Sequence, residues 1–196
     1  MWDTFGLTVG SEPLDVEALF GRAAPLVVEI GFGMGEATAL MAAADPHRNL
    51  LAVDVHTPGF GALLSRVEEL ALTNVRVADG DAVRLFREGV AAGSVDEVRI
   101  FFPDPWPKTK HHKRRLIDDA FVALLASRMR PGGLLRLATD WQHYADQMAA
   151  VLEASPHVEV LAEAGRGDRP ITRFEQQGLD AGRRITDLVA RRAAES

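Results

Sequence analysis

The feature of this sequence that most constrains its fold is a regular alternation of buried-strand patterns with helix patterns. Short apolar runs bounded by glycine, proline or polar residues predict strands, and the segments between them repeat apolar residues at helical spacing. This alternation predicts a parallel sheet with helices on both faces, joined by right-handed crossovers, which is a doubly wound α/β fold. The five predicted strands are Leu26–Ile30, Asn49–Asp54, Val75–Ala78, Val95–Phe102 and Leu134–Ala138.

The remaining segments complete a coarse secondary-structure prediction. The run from Pro170 to Gln176 indicates by itself only a turn followed by a strand. The predicted helices are Leu14–Phe20, Glu36–Ala44, 60–72, Asp81–Gly89, Arg115–Met129 and Asp140–Ser155. The other predicted elements are loops at Pro103–Lys113 and Ala164–Pro170, a turn at Pro131–Gly133, and strands near His157–Glu163 and Arg184–Ala190.

Length and composition narrow the class of protein. A chain of 196 residues with 47% hydrophobic residues favours one globular domain, which we assign to residues 25–196, with residues 1–24 as an extension packed on it. The absence of cysteine excludes disulfides, iron–sulfur clusters and thiolate zinc sites. No apolar run approaches the roughly 18 residues of a membrane span, and the first residues lack a signal-peptide pattern. We therefore expect a cytoplasmic protein, a monomer or a homodimer, with no membrane or protein partner indicated.

The charge distribution is uneven. The net charge of the chain is −6, yet the eight residues Lys108–Arg115 carry five positive charges, no acid and every lysine of the sequence. An acidic body with one concentrated basic segment is typical of local polyanion capture. A solvated surface loop that is basic by chance is the alternative at this point.

A glycine-rich turn follows the first predicted strand. Gly31, Gly33 and Gly35 are spaced G-x-G-x-G, which differs from the dinucleotide-binding pattern G-x-G-x-x-G. Glu29 just before the turn would repel a pyrophosphate and attract a cationic amino-acid group, while Asp54 at the end of the second strand can accept hydrogen bonds from ribose hydroxyls. The combination favours S-adenosylmethionine over NAD. The alternative is a glycine-rich turn without a ligand.

Further candidate residues follow the other predicted strands. Asp81 can accept from an adenine amino group or cap the next helix. In the run FFPDPWPK from Phe101, two prolines restrict Asp104, and Trp106 offers a stacking face for a base. Asp140 lies after the fifth strand, where it can face the crevice or cap a helix, and the nearby Trp141 and Tyr144 are equally compatible with helix packing.

The adjacent pair His111 and His112 does not indicate a metal site. Neighbouring side chains rarely converge on one ion, and no other histidine–aspartate cluster has ligand spacing. We expect both histidines to contact phosphates or bases.

The motifs taken together resemble the bacterial tRNA (guanine-N(7)-)-methyltransferase family. The resemblance runs from Val28 to about Leu188 and is carried by EIGFGMG at Glu29, VDVH ending at His56, FFPDPWPK with KHHKRR, ATDW at Ala138 and RPITRFE at Arg169. It implies a Rossmann-like class I methyltransferase sheet, mostly parallel with an antiparallel C-terminal strand. It also implies transfer of the methyl group of S-adenosylmethionine to the variable-loop guanine, position 46, of tRNA, with S-adenosylhomocysteine as product and no metal.

The resemblance also implies roles for individual residues. Asp104 would be catalytic. The cofactor would be bound by Glu29, Gly31, Gly33, Gly35, Asp54, Asp81 and Asp104. The substrate nucleotide would be bound by Lys108, Asp140, Thr172, Arg173, Phe174 and Glu175. The RNA would be held by Lys110, His111, His112, Lys113, Arg114 and Arg115.

Two other functional classes stay open on the sequence. One is a methyltransferase for another RNA or a small molecule, in which the lysine-rich segment would have no role. The other is a nucleotide-binding or RNA-binding module without chemistry, against which the joint presence of the glycine turn, Asp54 and Asp104 counts.

Overall fold

A computed structural model describes residues 1–162 and 165–194. The helices are α1 (Trp2–Phe5), α2 (Val16–Phe20), α3 (Glu36–Ala44), α4 (Thr57–Glu69), α5 (Ala82–Arg84), α6 (Asp119–Arg128), α7 (Gln142–Ala154) and α8 (Arg173–Asp180). The strands are β1 (Gly6–Thr8), β2 (Leu26–Ile30), β3 (Asn49–Asp54), β4 (Val75–Asp79), β5 (Val95–Phe101), β6 (Met129–Thr139), β7 (Val158–Val160) and β8 (Thr186–Arg192).

The eight strands form one sheet in the order β1-β4-β3-β2-β5-β6-β8-β7. The pairs from β1 to β6 are parallel, whereas β8 runs antiparallel to both β6 and β7. The strand order reverses between β2 and β5, where Ile30 lies opposite Ile100. Ligands of open α/β sheets bind at such a switch point, outside the carboxyl ends of the strands.

Both faces of the sheet are covered, as a doubly wound fold requires. Successive residues of β2 point to opposite faces: Val27 packs in one buried cluster with α3 and α4, and Val28 in another with α6 and α7. All five β2 residues are buried, which is typical of a central parallel strand. The predicted fold class, including the antiparallel C-terminal strand, is confirmed.

Several predicted elements differ in the structure. Helix α6 begins at Asp119 rather than Arg115, because the Asp118 carboxylate caps it by accepting from Phe121 N at 2.8 Å. The predicted turn Pro131–Gly133 lies inside β6, next to an irregular register between β5 and β6. The predicted helix Asp81–Gly89 is split into α5 and a π-helical turn, Leu85–Gly89.

The segments after β5 hold the largest differences from prediction. The expected loop Pro103–Lys113 contains a 3-10 helix, Thr109–Arg114. The expected turn and strand after Pro170 are instead α8, which Thr172 caps by accepting from Glu175 N at 3.1 Å. The predicted strand near His157–Glu163 ends at residue 163, and the predicted loop Ala164–Pro170 begins at residue 164. These two residues lie outside the described residues.

Two further observations concern membranes and metals. Among the described residues, no helix combines the length and the apolar character that crossing a bilayer requires. The same residues contain no group of three or more histidine, aspartate or glutamate side chains placed to hold a metal ion.

Candidate active site

The glycine turn between β2 and α3 has the backbone geometry that its composition predicts. Gly31, Gly33 and Gly35 have φ angles of +77°, +55° and +72°, in the left-handed region that side chains disfavour. A Cβ atom added to Gly31 or Gly33 would meet open space, so the turn leaves a cradle at the switch point.

Asp54 joins this turn to the end of β3. Its Oδ2 accepts from Gly33 N at 3.0 Å, and its Oδ1 accepts from Val55 N at 2.7 Å and His56 N at 2.9 Å. A carboxylate has about four lone-pair sites, so these bonds leave roughly one for a ligand. The Asp54 carboxylate therefore fixes the shape of the glycine turn and also retains a lone-pair site for a ligand.

Helix α4 supports the turn from behind, a contact that the sequence motifs did not predict. A Cβ on Gly59 would lie 1.9 Å from the carbonyl oxygen of Gly33, and one on Gly35 would lie 2.6 Å from the Cβ of Leu63. Only glycine therefore lets α4 approach this closely. The sequence signal was the glycine that follows Thr57-Pro58 soon after Asp54.

Glu29 is a buried acid in β2, next to this turn. The residue is 4% exposed, and its Oε2 has no hydrogen-bond partner among the described residues. Burial raises the pKa of Glu29 to about 7, although the Arg99 guanidinium on the adjacent strand lowers it. An unpartnered buried carboxyl at this position can bind a cationic group.

Asp81 caps α5, as one of the two interpretations of the sequence predicted. Its Oδ1 accepts from Arg84 N at 2.8 Å. The side chain is exposed at the end of β4, two strands from β2 in the sheet.

The loop after β5 carries Asp104 on a strained backbone. Phe102 and Trp106 have φ angles of +53° and +42°, unusual for residues with side chains and costing of order 1–3 kcal/mol each. Phe102 N donates to Ala138 O at 2.7 Å, which fixes the start of the loop to β6. Asp104 lies between the two strained residues and is exposed.

The segment Lys108–Arg115 divides into exposed and buried cations. Lys108, Lys110 and Lys113 are exposed. Arg114 lies over the Trp106 ring at 4.9 Å, and His111 meets the same ring edge-on at 5.8 Å. The stacking face that the sequence predicted for a base is thus contacted by the segment itself.

Arg115, which was predicted to hold RNA, is buried in the structure. It is 3% exposed and donates to Pro105 O at 2.8 Å, and it contacts His143 Nδ1 at 3.1 Å and Gln147 Oε1 at 2.6 Å. These contacts fix the loop to α7, and a contact of the buried guanidinium with RNA phosphates stays a prediction. His112 also packs inward, with its ring 4.8 Å from that of His143.

Asp140 follows the carboxyl end of β6 and does not cap α7. Helix α7 is preceded by Trp141, which makes no side-chain cap, and Asp140 Oδ2 instead accepts from Arg183 Nη1 at 2.5 Å. Tyr144 is fully buried, and its hydroxyl accepts from Ile117 N at 3.1 Å, which confirms a packing role. Trp141 is partly buried against the same core.

The Thr172–Glu175 stretch presents two residues and buries a third. Phe174 is 65% exposed and Arg173 is also exposed. Glu175 is fully buried, and its carboxylate accepts from Arg166 at 2.5 and 2.9 Å and from Arg169 at 2.6 Å. The Glu175 carboxylate thus faces the protein interior in this structure, and its contact with the substrate stays a prediction.

Arg169 connects this ion pair to β5 and β8. Its guanidinium lies 5.2 Å from the ring centroids of both Phe101 and Phe102 and donates to Asp187 at 2.7 Å. The residue is 4% exposed. One buried cation thus holds the Asp104 loop, the segment before α8 and the start of β8 together.

A cavity of about 510 Å³ lies beside β5, away from the glycine turn. Glu97 on its wall forms ion pairs with Arg48, Arg99 and Arg136 at 2.7, 2.7 and 3.2 Å. Although burial opposes the effect, Arg99 and Arg48 hold the pKa of Glu97 below its usual range. The opposite charges of the side chains that line this cavity therefore largely neutralise one another.

The fold brings most of the predicted site residues to one edge. The glycine turn, Asp54, Asp81, Asp104 and Asp140 each follow the carboxyl end of a parallel strand, and those five strands are neighbours in the order β4-β3-β2-β5-β6. The basic segment leaves the same edge directly after Asp104. A glycine-lined cradle, several carboxylates and a set of exposed cations therefore border one crevice.

Comparisons with known proteins agree with this arrangement. A family model described as "Putative methyltransferase" matches residues 23–188. A tRNA (guanine-N(7)-)-methyltransferase of Streptomyces avermitilis is 53% identical over 98% of this chain and 68% of its own length. A protein of the same name from Nitrosospira multiformis is 49% identical over 96% of this chain and 83% of its own length.

A solved structure shows the same fold at low sequence identity. The aminoglycoside resistance methyltransferase NpmB1 superposes with a TM-score of 0.59 and 14% identity, over 91% of this chain and 92% of that one. At this identity the likeness concerns the sheet and its helices alone.

Proposed function

The chain belongs to the tRNA (guanine-N(7)-)-methyltransferase family, and we propose that it transfers the methyl group of S-adenosylmethionine to N7 of guanine 46 in the variable loop of tRNA. The reaction itself follows from family membership. The nucleotide position and the roles of individual residues are the proposal, supported by the convergence of the glycine turn, four aspartates and the exposed cations at one sheet edge.

The crevice residues fit the methyl donor. The open space beside Gly31 and Gly33 would let the backbone approach it closely, and the unpartnered Oε2 of Glu29 would face its cationic amino group. Asp54 retains a lone-pair site for the ribose hydroxyls, and the exposed Asp81 would accept from the adenine. When bound, S-adenosylmethionine supplies a methyl group on a sulfonium centre.

Guanine N7 carries a free lone pair, so its attack on that methyl needs no general base. Residues that hold the nucleobase in line with the methyl group therefore supply most of the acceleration. As the purine gains positive charge, the Asp104 carboxylate stabilises it. The strained backbone on both sides of Asp104 would restrict the positions that this carboxylate can take at the end of β5.

The tRNA side of the crevice is formed by exposed and partly buried residues. Lys108, Asp140, Thr172, Arg173 and Phe174 would contact the target nucleotide, with the Phe174 ring available for stacking. Lys110, His111, Lys113 and Arg114 would hold the phosphates. Guanine N7 lies in the deep, narrow major groove of paired RNA, so an opened variable loop suits this site better than a helix.

The test is nuclease digestion and mass spectrometry of unmodified tRNA after incubation with S-adenosylmethionine and the protein. We expect 7-methylguanosine in the digestion fragment that contains position 46. Asp104→Asn keeps the size of the side chain and removes its charge, and we expect kcat at saturating donor to fall by about 10²–10³, with any change in donor affinity measured separately by calorimetry. Methylation at another nucleotide would refute the position, and a wild-type rate in Asp104→Asn would refute the catalytic role.

A further inference from the structure

A second cavity lies at the same sheet edge and shares Asp140 with the target-nucleotide residues. It has a volume of about 350 Å³ and is lined by Asp140, Trp141, Gln142, His143, Arg183 and Arg184. This volume is at the lower end of ligand sites, roughly 300–1,000 Å³. Its walls come from two segments, the start of α7 and the turn between α8 and β8.

The cavity lies on the active side of the sheet. Because β8 is antiparallel, its first residue, Thr186, pairs with Thr139 at the carboxyl end of β6. The turn that carries Arg183 and Arg184 is therefore two strand spacings from β5, roughly 10 Å. Nucleotides that flank a base bound at Asp104 come within reach of this turn.

The Asp140 wall of the cavity is held in place. Asp140 is bound by Arg183 at 2.5 Å, and a Cβ on Gly178 would lie 2.9 Å from the same carboxylate oxygen. Arg183 N in turn donates to Gly178 O at 2.8 Å. The end of α8 and Arg183 thus fix the carboxylate from two sides, and the charges of Arg183 and Asp140 compensate each other.

Arg184 supplies the uncompensated charge. Its side chain is exposed, and within residues 1–162 and 165–194 it forms no hydrogen bond or ion pair. A free arginine beside a tryptophan and a glutamine amide is the donor and stacking set that nucleic-acid sites use.

We propose that this cavity is a second RNA subsite, in which Arg184 binds a phosphodiester adjacent to the target guanine and Arg183 positions Asp140. The inference rests on the proposed function, because it assigns the cavity to the same tRNA. Its ligand is a phosphodiester of the RNA strand, and the role of the cavity is affinity rather than chemistry.

Arg191 provides a matched control for Arg184. It lies in the same strand-and-turn unit, but near the opposite end of β8, and its side chain is 47% exposed and paired with the exposed Glu159 at 2.7 Å. Substituting either arginine by glutamine removes one exposed positive charge from the chain. Only Arg184→Gln removes it from the cavity.

The experiment measures tRNA affinity as a function of salt concentration for wild type, Arg184→Gln, Arg184→Glu and Arg191→Gln. We expect Arg184→Gln to raise the Kd about threefold to tenfold and to reduce the slope of log K against log salt by roughly 0.7–1. Arg184→Glu should weaken binding further, and Arg191→Gln should match the wild type. Donor affinity measured by calorimetry should be the same in all four proteins.

The outcomes separate the two proposals. If wild type forms 7-methylguanosine and Arg184→Gln keeps the wild-type Kd and salt slope, the subsite is refuted and the proposed function stands. Equal effects of Arg184→Gln and Arg191→Gln would also refute it, since they would reflect net charge alone. If wild type forms no methylated guanosine at all, the proposed function itself has failed.

Discussion

The two sides of the crevice are held in shape by different kinds of interaction. On the β2–β3–β4 side the backbone determines the shape, through glycines with positive φ, the Asp54 bonds to Gly33, and the close approach of α4. On the β5–β6 side buried charges determine it, through Arg115, Arg169 and Glu175. The backbone side depends on sterics and tolerates little added volume, whereas the charged side depends on buried ion pairs and hydrogen bonds and is sensitive to the loss of a partner.

The charged side gives the largest expected effect. Glu175→Gln leaves Arg166 and Arg169 without their buried carboxylate, and we expect the free energy of unfolding to fall by about 3–5 kcal/mol. Glu159→Gln breaks an ion pair whose two side chains are 62% and 47% exposed, and should cost under about 1 kcal/mol. Urea unfolding of both variants decides the point. Similar losses would show that burial of the Glu175 pair does not stabilise this side.

Substitution of Glu29 tests whether the backbone side of the crevice contains a buried carboxyl group that lacks some of its hydrogen-bond partners. Its pKa is raised to about 7 in the folded chain, so the stability associated with its neutral form is present below about pH 4.5 and is lost as pH rises through 7. Glu29→Gln does not titrate. Without S-adenosylmethionine, we therefore expect the variant to gain roughly 3 kcal/mol on the wild type between these pH values. Parallel urea-unfolding stabilities across this range would contradict the prediction.

Gly35→Ala tests the steric side directly and should have the smallest of the three effects. The added Cβ meets Leu63 at a φ of +72°, so overpacking of about 1–3 kcal/mol adds to the backbone strain. Gly93→Ala is the control, because its φ is +66° and its Cβ would meet open space. We expect Gly35→Ala to be the less stable variant in urea and to bind S-adenosylmethionine more weakly. Equal losses would mean that α4 packing does not constrain the turn.

The same division explains what the sequence could predict. The glycine turn and Asp54 were predictable because a positive φ demands glycine locally and because the strand ends of a parallel sheet share an edge. The ion pair between Asp140 and Arg183 joins residues 43 positions apart, and Arg115 meets Gln147 across 32. Such pairings depend on tertiary packing, so no local pattern reports them.

Helix α8 differs from these long-range pairings, because a local sequence pattern indicates where it begins. Thr172 followed three residues later by Glu175 has the capping-box pattern of a helix start, and Thr172 does cap α8. The Glu175 side chain departs from that pattern by turning inward to Arg166 and Arg169. The local sequence thus indicates the start of α8, but it does not indicate which residues the Glu175 carboxylate binds.

The placement of Arg169 has a consequence for engineering. Because one guanidinium contacts Phe101, Phe102, Glu175 and Asp187 together, the segments that carry them form a single transplantable unit. A chimera that imports the 102–108 loop from a homologue without its matching 166–175 segment would place a foreign surface against a buried cation. Grafts that redirect specificity in this scaffold therefore have to exchange both segments at once.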